Sequence, residues 1–193
     1  MYQALLGNSS FFDLLLRFDE DLAEEVRRGG CACGGVLHRA YYGRKPRGGP
    51  ARLRDEHAVR FSYCCAVEGC RRRATPPSLR FLGRKIFFGV VVVLVSVLKD
   101  GPTPKRLDRL CAEVGVNRRT LRRWIRWWRA TFAASRFWLA KQGLFAQPVP
   151  SEALPSSLLQ AFEGQGEAWP RVLALMRFVA PITTGKDLAG PAL

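Results

Sequence analysis

Five of the six cysteines in this 193-residue chain fall in two clusters on either side of a polar, basic stretch, and no other feature constrains the fold as much. The first cluster is CACGGVLHRAYY, with Cys31 and Cys33 followed by two glycines. Glycines there let backbone amides turn toward the sulfurs, as in a metal knuckle. The second is RFSYCCAVEGCRRR, where Cys65 and Cys70 make a C-x4-C step and Cys64 is a spare neighbour. The segment they bracket is small and polar, so it needs a staple, and four thiolates on one ion supply it. Strand-like stretches at Val36–Tyr41 and Arg60–Cys64 complete the pattern of a structural zinc ribbon. Its Zn2+ is expected on Cys31, Cys33, Cys65 and Cys70. The usual knuckle is C-x2-C and the first one here is C-x-C, which leaves Cys64, His38 and His57 as alternative ligands.

The second strong pattern is TPKRLDRLCAEVGVNRRTLRRWIRWWR, Thr103 to Arg129. Thr103 can cap a helix through its hydroxyl, and Pro104 suits the first helical position. Leu107, Leu110, Cys111 and Val114 fall at i, i+3, i+4 and i+7, a single apolar stripe. Gly115 then ends the helix, Val116 plugs the turn, and Asn117 can cap a second helix. In that helix Leu121, Trp124, Ile125 and Trp128 repeat the apolar spacing. Arg118, Arg119, Arg122, Arg123, Arg126 and Arg129 are left facing water. An arginine-rich helix backed by an apolar seam is suited to the DNA major groove, where the guanidinium fork grips guanine edges or phosphates.

Charge is distributed unevenly. Residues 1–30 carry three arginines against six carboxylates, whereas residues 39–129 carry 23 Lys/Arg against six carboxylates. The middle of the chain therefore points to a polyanion, with double-stranded DNA favoured over a membrane surface. The start, MYQALLGNSSFFD, lacks the basic region and cleavage pattern of a secretory signal. The longest apolar run, Ile86–Leu98, falls short of the roughly 20 residues a membrane span requires. A cytoplasmic, nucleoid-associated protein is expected, in a compartment where thiols stay reduced and serve metal.

Around these two patterns the chain divides into four parts: an N-terminal amphipathic helix (1–30), the ribbon with its basic loop (31–82), the helix-turn-helix unit (83–135) and a helical tail (136–193). In the first, Ser10 and Asp13 are spaced as a capping box, and the helix is expected to run to Arg28. Phe12, Leu15, Leu16, Leu22 and Val26 make its apolar side, while Asp19, Glu20, Asp21, Glu24 and Glu25 make its wet side. It packs on the body or forms a dimer or partner interface. Between the cysteine clusters, Arg44, Lys45, Arg47, Arg52 and Arg54 lie in a Pro- and Gly-rich loop suited to tracking phosphates as an arm. Arg71–Arg73, Arg80, Arg84 and Lys85 extend the basic surface. Periodicity leaves Ile86–Leu98 open between strand and helix. Its place before the stop Lys99-Asp100-Gly101-Pro102 favours the buried helix beneath a helix-turn-helix pair. The tail reads as a Pro-rich join, a short helix Ser156–Phe162 and an apolar helix Pro170–Val179 that includes the neighbouring Trp169 in its apolar surface.

The succession of Cys31/Cys33, Cys65/Cys70, the apolar segment and GVNRRTLRRW resembles the N-terminal regions of insertion-sequence DDE transposases, over residues 30–130. That resemblance implies a zinc ribbon followed by a helical domain that recognises terminal inverted repeats, with Arg118, Arg119, Arg122, Arg123 and Arg126 in the recognition role. The 63 residues after position 130 are too few for the RNase-H-like domain that such enzymes use. Glu152, Glu163, Glu167 and Asp187 have no strand framework to bring them together on two metal ions. There is no phosphate-loop or nucleophile-elbow motif, and an open catalytic zinc would need a base such as Glu68.

The expected fold is mostly α with a small β zinc ribbon: a three-helix helix-turn-helix core flanked by N- and C-terminal helices. The expected function is a zinc-stabilised DNA-binding protein of a mobile element, non-catalytic in itself and partnered with duplex DNA, a separately encoded transposase or recombinase, or a second copy of itself. The alternatives are a helix-turn-helix transcriptional regulator, a metal-dependent nucleic-acid enzyme, and an RNA binder that stacks bases on Tyr41, Tyr42, Phe61 and Tyr63.

Overall fold

The structure is a computed structural model that describes residues 2–50, 53–82, 88–98 and 103–184. Arg52, Arg84, Lys85, Ile86, the stop at Lys99–Pro102 and Asp187 lie outside the described residues. The protein is mostly helical with a small antiparallel sheet.

A short helix α1 (Tyr2–Leu6) leads into the long α2 (Ser9–Gly29). The cap of α2 is Asn8, whose side chain accepts from the Phe11 amide at 3.2 Å, and not the expected Ser10/Asp13 box. Asp13 is instead turned toward the base of the basic loop. The buried stripe of α2 serves two cores at once. Phe12 and Leu15 enter a large helical core, and Leu16 and Ala23 enter a smaller one under the ribbon.

Asp19 stands in the middle of that stripe, four residues after Leu15 and three after Leu16, and it is fully buried rather than wet. Its carboxylate accepts from Ser78 Oγ, the Leu79 amide and Arg80 Nε, the last at 2.8 Å. Arg80 is fully buried as well, so it does not belong to the basic surface. It donates onward to the carbonyls of Glu56, His57 and Val59. A buried guanidinium has several N–H groups to satisfy, and here each bond ties down another strand end or turn. This hub joins α2, the root of the basic loop and the link into the helical body.

The ribbon consists of β1 (Leu37–Arg39), β2 (Tyr42–Gly43), β3 (Val59–Arg60), β4 (Tyr63–Cys65) and β5 (Arg73–Ala74). One sheet has the order β1-β4-β5, and β2 pairs with β3 in a second. The register sets Leu37 opposite Cys65 and His38 opposite Cys64. Because side chains alternate across a strand, Cys65 faces inward and Cys64 lies on the other face.

Helix α3 (Gly89–Leu98) resolves the strand-or-helix ambiguity as a helix, buried from Gly89 through Ser96. A β-branched run is a poor helix former in isolation, but here burial on every side outweighs propensity. It packs against α1, the second helix of the helix-turn-helix and the C-terminal helix. The helix-turn-helix pair is α4 (Pro104–Glu113) and α5 (Arg118–Arg126). Pro104 starts α4, but the Thr103 side chain makes no capping bond.

After α5 the chain widens into a π-helical turn, Trp127–Phe132, which seats both Trp128 and Phe132 in the core. Among the described residues the remaining α-helices are α6 (Arg136–Lys141), α7 (Ser156–Gln160) and α8 (Ala168–Val179). α8 begins two residues before Pro170 and packs on the body through Val172, Leu175, Met176 and Val179. Trp169, expected among its apolar residues, is 44% exposed.

Candidate metal centre and basic surface

The knuckles and strands bring Cys31, Cys33, Cys65 and Cys70 together, with all four Sγ atoms within 4.8 Å of one another. Cys31 and Cys70 are 3.8 Å apart, and Cys33 and Cys65 are 3.5 Å apart. Each outer knuckle is closed by a left-handed residue directly after its cysteine: Gly34 at φ 82° after Cys33, and Arg71 at φ 44° after Cys70. That turn aims the amide of the second residue on back at the sulfur. Thus the Gly35 N–H donates to Cys33 and the Arg72 N–H to Cys70, and the Val67 N–H reaches Cys65 without a left-handed residue between them. The C-x-C spacing is accommodated because Cys31 N–H bonds to the Gly35 carbonyl at 2.9 Å, closing the loop from its other side.

These contacts divide the thiols electrically. The Gly35 amide, with the sulfurs of Cys70, Cys65 and Cys31, brings the Cys33 thiol down to about 7. Cys65 takes the Val67 amide, but burial and its three sulfur neighbours push it up to about 12. Cys70 takes the Arg72 amide, yet Cys33, burial and Cys31 raise it. Negative charge settles first on exposed Cys33, and further ionisation needs a cation to offset the repulsion. A metal ion taken up by these thiols would displace protons, so its binding would weaken as pH falls.

Neither histidine takes part. His38 is exposed on β1. His57 is buried, with Nδ1 at 3.1 Å from the Arg54 carbonyl and Nε2 at 2.8 Å from Asp13. Cys64 points to the opposite face and donates to the Cys65 and Arg71 carbonyls. Cys111 sits in the helix-turn-helix core, where burial pushes its thiol up. The ligand alternatives left open by the sequence thus reduce to the four-cysteine set.

Gly35 is required by space. A Cβ there would lie 2.6 Å from Val67 Cγ2, 2.7 Å from Cys65 Sγ and 3.4 Å from Cys33 Sγ. Gly35→Ala is expected to weaken metal binding by about 10–100-fold, the scale of lost support around a metal site. Chelator competition measures it, with Gly43→Ala, whose Cβ would meet nothing, as the control. Equal affinities in the two variants would contradict this packing.

In the helix-turn-helix, Gly115 takes φ 64° and the Val116 amide bonds back to Cys111 O at 2.9 Å. Asn117 caps α5 by accepting from the Thr120 amide at 2.8 Å. Leu110, Cys111, Val114, Leu121, Trp124, Ile125 and Trp128 are all buried. All six arginines on the other side are exposed. Arg118 is already engaged, gripping Asp108 of α4 with Nε and Nη2 at 2.6 and 2.7 Å, which ties the two helices together across the turn. Arg123 reaches Thr120 at 3.4 Å. Arg119, Arg122 and Arg126 have no hydrogen bond or ion pair to another described residue.

The basic loop is not a free arm. Gly48, at φ 86°, sits against Val91 of α3, and Gly49 against Leu53 and Phe88, with no space for a Cβ at either position. Arg54 is paired with Asp13 and Glu56. Lys45 and Arg47 are exposed, whereas Arg44 is half-buried against the Tyr42 ring. Tyr41 and Tyr63 join hydroxyls at 3.0 Å and meet edge to face, with Phe61 tilted against Tyr41, in the ribbon core.

No protein-family model, curated protein or solved structure matches this chain. Among the described residues, no helix is long and apolar enough to cross a membrane. The Asp19–Arg80 pair is not apparent from motif spacing. Only Asp19 leaves a local signal, a carboxylate at core spacing from Leu15 and Leu16.

Proposed function

We propose that this chain is a zinc-stabilised, duplex-DNA-binding protein of a mobile element. A tetrahedral zinc with Zn–S bonds of about 2.3 Å sets its sulfurs about 3.8 Å apart. The separations of 3.5 and 3.8 Å, within a cluster no wider than 4.8 Å, fit that ion. Four thiolates would fill its coordination and leave no place for a reactive water, so the zinc would be structural. Its work is to hold the ribbon's strands and knuckles in place.

The observation that carries the DNA reading is the state of α5. Arg119, Arg122 and Arg126 extend into solvent on a helix whose other side is locked into the core through Leu121, Trp124 and Ile125. Guanidinium groups facing water without an acidic partner are an electrostatic cost to the folded chain that a polyanion offsets. Placed in a major groove, such residues read base edges, while Arg123, Lys45 and Arg47 hold phosphates. The mobile-element assignment rests on the resemblance of residues 30–130 to transposase end-binding regions. Arg118, bound to Asp108, serves in this reading to orient α5 rather than to reach a base.

Selection from a pool of randomised duplexes tests the proposal. Enrichment of one short motif, matching the terminal repeats of an element that carries this gene, is the expected result. A motif matching only the gene's own promoter would replace the mobile-element role with that of a transcriptional regulator. No enrichment over the input pool, or preferential retention of single-stranded RNA, would overturn sequence-specific duplex recognition.

A further inference from the structure

The ribbon carries an arginine pair of a different kind from those on α5. The register of β1, β4 and β5 places His38, Cys64 and Arg73 in one cross-strand row, on the face away from the inward-facing Leu37 and Cys65. Arg73 reaches from β5 to Tyr42 of β2, a strand of the other sheet, with its guanidinium 5.9 Å from the ring centroid. Arg44 approaches the same ring at 4.9 Å, and its Nη2 donates to the Tyr42 hydroxyl at 3.3 Å. Two cationic groups, one just past the end of β2 and one on β5, are thereby brought against a single aromatic side chain.

Elsewhere in the protein, well-placed arginines face carboxylates: Arg27 with Glu24, Arg54 with Asp13 and Glu56, Arg80 with Asp19, Arg118 with Asp108. Among the described residues Arg44 and Arg73 have no acidic partner, and the only side-chain hydrogen bond between them and the rest of the protein goes to a neutral phenol. Contact with the ring, and for Arg44 the bond to its hydroxyl, restricts these side chains in advance, so less side-chain freedom is lost when they bind. The fork geometry suits phosphate oxygens.

We infer that Arg44 and Arg73, held on the Tyr42 ring, form a clamp for the phosphodiester backbone of the same duplex that α5 contacts. The inference rests on the DNA reading and adds to it a second contact surface, carried by the ribbon's strands. The clamp contributes affinity and salt dependence without base preference, because phosphates carry no sequence information directly.

Duplex binding, measured by fluorescence anisotropy over a salt series with the zinc-loaded full chain, tests it. Each phosphate contact contributes about 0.9 to the slope of log affinity against log salt. Arg44→Ala/Arg73→Ala is expected to lower that slope by about two and to weaken binding, with the selected motif unchanged. Arg44→Lys/Arg73→Lys keeps the charges and loses the fork, so its slope stays at the parent value while affinity falls several-fold. Arg17→Ala/Arg136→Ala removes two exposed arginines elsewhere and is expected to leave the slope within about half a unit of the parent. Native mass spectrometry of every variant confirms an intact metal site. A parent-like slope and affinity in the double alanine variant would overturn the clamp and leave the DNA reading standing, as would a loss of slope no greater than in the Arg17/Arg136 control. Absence of duplex binding by the parent would overturn that reading itself.

Discussion

Asp19→Ala is expected to cost about 3–5 kcal/mol of folding stability, the range for breaking a buried ion pair by removing one partner. The magnitude follows from what the substitution leaves behind. Arg80 has no exposed surface, so its charge cannot move into water when the carboxylate goes. Ser78 Oγ and the Leu79 amide lose their acceptor in the same step. For a chain of this size such a loss corresponds to a fall in Tm of roughly 6–20 °C. Glu20→Ala, one residue along on the exposed side of α2, is the matched control and should change stability by less than about 0.5 kcal/mol. Denaturant unfolding of both variants supplies the numbers. If Asp19→Ala and Glu20→Ala were equally mild, the hub would not be what joins the ribbon to the helices. Asp19→Asn keeps the shape but offers one acceptor oxygen in place of two, and it should fall between them.

The elements that depend on local patterns were legible in the sequence. The stripe Leu110–Cys111–Val114, the left-handed Gly115, the Asn117 cap and the seam of α5 all depend on neighbours within a few positions. The four cysteines could be paired because thiols in two clusters around a small polar segment have few other uses. What stayed hidden depends on partners distant in sequence. Asp108 and Arg118 are ten positions apart, and nothing in either helix alone shows that the fork closes on that carboxylate. Asp19 and Arg80 are 61 positions apart. Counted by charge alone, Asp19 belongs with the wet residues of α2, and Arg80 belongs with the basic ones around it. Counted by helical position, Asp19 lies in the middle of the buried stripe, and a carboxylate there requires a buried partner. The docking of the basic loop was also invisible, because it depends on Val91 and Phe88 occupying the space beside Gly48 and Gly49. In α2 a local box was expected at Ser10/Asp13, but Asn8 caps the helix and Asp13 binds His57.

On the function proposed above, α5 presents its arginines to duplex DNA. Each arginine that contacts a base or phosphate contributes about 1 kcal/mol or more to binding, so removing three should weaken it by about 100- to 10,000-fold. Arg119, Arg122 and Arg126 are the appropriate set: all are exposed, and none is bound to another described residue, so their removal disturbs no packing. Arg118 is left in place because its bond to Asp108 belongs to the fold. The most direct measurement is the affinity of Arg119→Ala/Arg122→Ala/Arg126→Ala for the selected duplex, beside the parent, with thermal unfolding and metal content checked on the same samples. The predicted result is a loss of at least 100-fold, with discrimination between the selected and scrambled duplexes abolished and Tm unchanged. Parent-like affinity and discrimination from a folded, metal-loaded variant would contradict duplex recognition by α5.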